Sequence, residues 1–223
     1  MTITLDPPVT AVRRPAWLLV ATLPAYAAYL AVAVTTIAQQ AHSSADLTPA
    51  EIDELGVAWM AVHVLWIVPP LLAVIGLVGV ARSVPGRLTR LVPALAVVTV
   101  ALLAAYLLLN VLAFTSDATT WGESPLYPWS PLASLFAGWF GVHLATLIVV
   151  AALVQARIAR RAVLVVGVLY ALYVVFEILA YLPVLFGPTT FAGFLGGLPP
   201  FLLGLLWAAL GSALLKSRIT SEG

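Results

Sequence analysis

The chain has 223 residues, 63% of them apolar or aromatic and only 9% charged, with a formal net charge of +1 and no cysteine. Soluble domains are about half apolar and about a quarter charged, so a soluble fold of this size could not keep a polar shell over so much apolar surface. A soluble enzyme, a nucleic-acid binder, a disordered chain and a disulfide scaffold are excluded, and with them thiol chemistry, iron–sulfur clusters and cysteine-based zinc sites.

The composition is that of an all-α integral membrane protein, with the lipid bilayer as its first partner. Six stretches reach the roughly 20 apolar residues that a bilayer core demands of a helix. They run from about Trp17 to Ile37, Gly56 to Ala81, Leu91 to Phe114, Leu132 to Ala156, Ala162 to Leu182 and Leu195 to Leu215. The reading is one polytopic domain over residues 1–223, a bundle of six transmembrane helices in the plasma membrane. Met1 to Val12 carry Asp6, Pro7 and Pro8 in place of a signal-peptide pattern, so the first helix is expected to be retained.

The connections carry their own signals. Thr48-Pro49-Ala50-Glu51 reads as a capping box with proline at the first helical position. The second helix is therefore expected to begin outside the membrane, with Ile52 and Leu55 on a short amphipathic extension. Its acidic residues either attract cations or favour the helix start through the dipole. Pro69-Pro70 in the second stretch and Gly196-Gly197 with Pro199-Pro200 in the sixth predict interrupted backbone ladders, as packing kinks or as a binding elbow. The segment Ser116 to Pro131 holds Trp121, Pro125, Tyr127, Pro128 and Trp129, which suit a membrane-interface belt or a lid. Ser130-Pro131 reads as a cap followed by proline at the start of the fourth helix.

The charges set an orientation. All ten basic residues, from Arg13 and Arg14 to Lys216 and Arg218, fall on one side of the predicted bundle. The other side carries Asp46, Glu51, Asp53, Glu54, Asp117 and Glu123 and no basic residue. The positive-inside rule then places both termini in the cytoplasm. Lys216, the single lysine, stands at a helix end, where snorkelling to the interface or a Schiff-base role are the readings. His42 falls in a polar outer loop and is expected to be solvated.

A repeat runs through the first four helices. Ala27-Ala28-Tyr29-Leu30 recurs as Ala104-Ala105-Tyr106-Leu107, and Trp59-Met60-Ala61-Val62-His63 as Trp139-Phe140-Gly141-Val142-His143. The copies have the same orientation, which describes tandem duplication of a two-helix hairpin. A fainter third copy would place Ala171-Leu172-Tyr173 in the fifth helix.

Four polar groups interrupt the apolar helices: His63, Asn110, His143 and Glu177. Each follows an aromatic residue by four positions (Trp59, Tyr106, Trp139 and Tyr173), which on a helix means one face. All eight are candidate ligand-binding residues, expected as one layer facing a shared interior in the outer half of the bundle. Ala133, Ala137, Gly141 and Ala145 form a small-residue stripe on which a neighbouring helix can pack closely, and His143 should point about 200° away from Gly141. Two histidines can hold a b-type haem, or with Glu177 another metal; or each imidazole simply satisfies a hydrogen bond between helices. Catalytic signatures are missing from the sequence. The leading expectation is a small binding or transport component with a small-molecule ligand and a membrane partner subunit. A haem or metal protein in electron transfer, and an intramembrane enzyme acting on a lipid-like substrate, are the alternatives.

Overall fold

A computed structural model describes residues 9–36, 46–84, 86–113, 119–186 and 198–217. The described residues are helical and contain no strand. The long elements are α1 (Val9–Thr36), α3 (Val57–Ser83), α4 (Val92–Ala113), α7 (Arg160–Phe186) and α8 (Leu198–Lys216); the short α2 (Pro49–Leu55) precedes α3. Between α4 and α7 one continuous rod is assembled from α5 (Trp129–Phe136), a π-helical segment (Ala137–His143) and α6 (Leu144–Gln155). Five helices are long and apolar enough to cross a membrane, and the apolar run Phe201–Lys216 in α8 is shorter.

The bundle is built around α1. Its inner face, Val12, Ala16, Leu19, Thr22 and Tyr26, is buried. Glycines on both neighbours let it approach: a Cβ on Gly79 of α3 would stand 2.5 Å from Pro15 Cβ, and one on Gly211 of α8 would stand 2.6 Å from the Ala16 carbonyl oxygen. Without a hydrophobic drive between helices in lipid, such close backbone packing is a main source of association. Thr22 adds a polar tie, its hydroxyl donating to Leu19 O at 2.7 Å and reaching Gly204 O of α8 at 3.3 Å. The outer faces are apolar instead. On α7, Val165, Val168, Leu172, Val175 and Leu179 are exposed at helical spacing, the pattern of a lipid-facing stripe.

Several expectations need correction. α1 begins at Val9, eight residues before Trp17, so Arg13 and Arg14 lie inside the helix. α2 does form on the Thr48 capping box, with Ile52 and Leu55 buried, but it is not an extension of the second transmembrane helix. Gly56, at φ 49° and ψ −120°, breaks the two apart in a conformation that a side chain would strain. α3 runs unbroken through Pro69 and Pro70. Ser130 does not cap the fourth helix: that helix starts at Trp129 after Pro128, and the serine lies within its first turn. Pro199 and Pro200 stand in the first turn of α8, where missing N–H groups cost nothing. Gly196, Gly197, His42 and Asp117 lie outside the described residues.

Candidate functional site

The polar groups gather in two places. In the first, His63 of α3 places Nδ1 2.6 Å from the Tyr106 hydroxyl of α4. Trp59, one turn earlier, meets the His63 ring edge-on with centroids 4.6 Å apart. Trp121 covers the pair from the α4–α5 connection, 5.5 Å from Trp59 and 6.5 Å from His63 between centroids. Its backbone N–H donates to Leu47 O at 2.8 Å, so the segments before α2 and before α5 are tied together over the histidine. Leu47, Ile52, Leu55, Trp59 and Trp121 form one apolar cluster, with Tyr127 packed against it. His63 is 9% exposed, and its Nε2 has no hydrogen-bond partner among the described residues.

Asn110 belongs to the same region but is committed to packing. Its side-chain amide donates to Tyr106 O at 2.6 Å and to Ser130 Oγ at 2.8 Å, which joins α4 to α5. Trp66 Nε1 donating to Ser134 Oγ at 2.8 Å makes the matching link from α3.

In the second place, His143 closes the π-helical segment. Its Nδ1 lies 2.7 Å from the Tyr170 hydroxyl of α7, and its Nε2 lies 2.6 Å from Glu177 Oε2, seven residues further along α7. The Nε2–Oε2 approach is short but off the direction of a well-aligned hydrogen bond. His143 is buried at 2% exposure, and the Glu177 side chain is 14% exposed. Tyr173 packs on the imidazole with centroids 6.1 Å apart. Behind Tyr170, Trp207 of α8 donates Nε1–H to Thr146 Oγ1 at 3.1 Å, and Thr146 donates to Val142 O at 2.8 Å.

The π-helical turn serves this placement. One extra residue per turn is rare in a helix and recurs at functional sites. Across that turn, Gly138 lies under the imidazole, where a Cβ would sit 3.6 Å from His143 Nε2. Gly141 faces the other way, against Thr99 of α4, where a Cβ would collide with the threonine side chain. The small-residue face therefore packs on α4 while His143 is presented to α7. Trp139, between them, is half-buried.

Where the sequence suggests one layer, His63 and Asn110 thus meet around Tyr106, and His143 and Glu177 meet around Tyr170. Tyr173, chosen by its spacing to Glu177, is a neighbour, while Tyr170 is the hydrogen-bonding residue. Its signal was present: Tyr170, Tyr173 and Glu177 stand at i, i+3 and i+7, a single helix face. Thr146 and Trp207 carried no such pattern, and Trp121 was legible only as part of an aromatic belt or lid. For a haem or metal ligand set, His143 has both ring nitrogens engaged, and iron could bind there only after displacing Glu177 or Tyr170. Among the described residues, no group of three His, Asp or Glu side chains is placed to hold a metal ion. No protein-family description, curated protein or solved structure matches the chain.

Proposed function

We propose that the protein is a small integral-membrane binding or transport component whose working group is the His143–Glu177 pair. In this reading α8 is a sixth transmembrane helix and both termini are cytoplasmic, as the one-sided distribution of ten basic residues supports. The plasma membrane is the proposed location. The observation that carries the proposal is the 2.6 Å approach of a buried imidazole to Glu177, the one carboxylate in the long helices among the described residues. An ionisable side chain in a bilayer is costly and is kept where it meets a ligand or moves a proton. The pair can hold a proton on either partner without adding net charge to the membrane, and Tyr170 fixes the imidazole at its other nitrogen. Glu177, the more exposed partner, is the group that a small ligand would engage.

The test is a thermal-shift screen of small molecules on the purified full chain, run in parallel on Glu177→Gln. A ligand that binds the folded state raises Tm by mass action. Molecules that stabilise the wild type and not the variant are expected. Hits that stabilise both equally would remove Glu177 from the site.

A further inference from the structure

The repeated Trp-x-x-x-His segment makes the same contact twice and leaves one position unequal. Both histidines present Nδ1 to a tyrosine hydroxyl on the next long helix, at 2.6 Å and 2.7 Å. At His143 the opposite nitrogen faces Glu177. At His63 the opposite nitrogen has no partner among the described residues, although the side chain is nine-tenths buried. The residue seven positions after Tyr106, which corresponds to Glu177 after Tyr170, is Ala113. A buried ring nitrogen without a partner has lost its water without compensation, a cost that a ligand would relieve.

We propose that His63 Nε2 is the recognition donor of a second binding site, beneath the Trp121 lid, for an uncharged flat ring bearing a carbonyl acceptor, the chemistry of a quinone headgroup. The tautomer follows from the tyrosine. A phenol is a better hydrogen-bond donor than acceptor, so at 2.6 Å Tyr106 donates O–H to Nδ1, and a neutral His63 then carries its proton on Nε2. A donor requires an acceptor on the ligand, which excludes an ammonium. The outer end excludes an organic anion, because Asp46, Glu51, Asp53, Glu54 and Glu123 stand there without an arginine or lysine among the described residues. The walls are Trp59, Trp121 and Tyr106, aromatic rings packed directly on the imidazole, so a flat conjugated ring reaches Nε2 only by displacing one of them and stacking on the others. Trp121 rides on a connection and not on a membrane-spanning helix, so it is the wall that can lift.

The experiment uses the full chain in detergent micelles with histidine ¹⁵N labelling, titrated with decylubiquinone. A saturable shift of the His63 Nε2 resonance is expected, with His143 unmoved. His63→Ala should weaken binding at least tenfold, or about 1.4 kcal/mol. His63→Gln, which keeps an N–H donor, should restore part of the loss, and Glu177→Gln should leave quinone binding unchanged even if Glu177 fails the screen above. If His63→Ala does not fold, the wild-type resonance shift decides alone. No saturable shift at His63 overturns the site. Tighter His63-dependent binding of tetraethylammonium or benzoate than of decylubiquinone overturns the ligand class.

Discussion

His63 and His143 occupy equivalent positions in two copies of one segment, and each is steered by a tyrosine hydroxyl from the helix that follows. They differ in what meets the free side of the ring. Glu177 closes the His143 pair, which packs against α7 and α8. Trp121 covers the His63 pair, whose Nε2 is buried without a hydrogen-bond partner among the described residues. The lesson is that the His–Tyr contact orients the ring, while the group opposite Nε2 sets the chemistry. In the functions we propose, one pair holds a proton and the other donates a hydrogen bond.

The comparison is broken most forcefully by truncation. His143→Ala strands Glu177 and the Tyr170 hydroxyl together, and losing one partner of a buried ion pair costs about 3–5 kcal/mol. His63→Ala strands only the Tyr106 hydroxyl, so a loss of about 1–3 kcal/mol is expected. Unfolding in mixed micelles measures both, and equal losses would abolish the distinction between the pairs. The hydroxyl deletions sharpen it. Tyr170→Phe and Tyr106→Phe should each cost about 1–3 kcal/mol by leaving Nδ1 unpaired. Combined with Glu177→Gln, Tyr170→Phe should deviate from additivity by about 0.5–3 kcal/mol, because both residues act on one imidazole. Tyr106→Phe with Glu177→Gln should add within about 0.5 kcal/mol. Strong coupling in that second cycle would mean that the two pairs work as one network.

Much of the architecture was legible because lipid imposes a length and a hydropathy on each crossing helix, and because a capping box is a local device. The expected bounds of the long helices fall within a few residues of those observed, except at the start of α1, where Arg13 and Arg14 extend the helix past its apolar part. What one sequence did not reveal depends on contacts between helices. Pro69 and Pro70 leave α3 unbroken, so proline content alone did not locate the irregular backbone, which lies at Ala137–His143 where the sequence has no proline. Spacing along a helix identified which polar residues share a face. It could not reveal that His143 and Tyr170, 27 residues apart, would meet, since that depends on which helices are neighbours and how each is rotated. Ser130 reads as a cap by local rules, yet its hydroxyl is used by Asn110 from another helix.

The smallest expected effect separates the pairs by their exposure to solvent. The lid over His63 is packed on α2, whose start depends on Glu51: its carboxylate accepts from the Thr48 N–H at 2.8 Å and from the Thr48 hydroxyl at 2.7 Å. These bonds, the backbone one foremost, hold the Glu51 carboxyl below its ordinary value of 4.5. A lowered carboxyl stabilises the folded form above the unfolded value and loses that contribution as pH falls through the lowered one. The cap should therefore weaken in acid, below about pH 4.5, while the enclosed His143 environment feels no change from this source. Methyl NMR gives the measurement. The Ile52 methyl, buried on α2, should shift as the pH is lowered, and Val142, beside His143, should not follow it. Thr48→Ala, which removes a cap of about 1 kcal/mol, should bring Ile52 to its acid position at neutral pH. Glu51→Gln should abolish the titration of Ile52, and the same acid shift persisting in that variant would show that the lid is anchored by something other than the capping box.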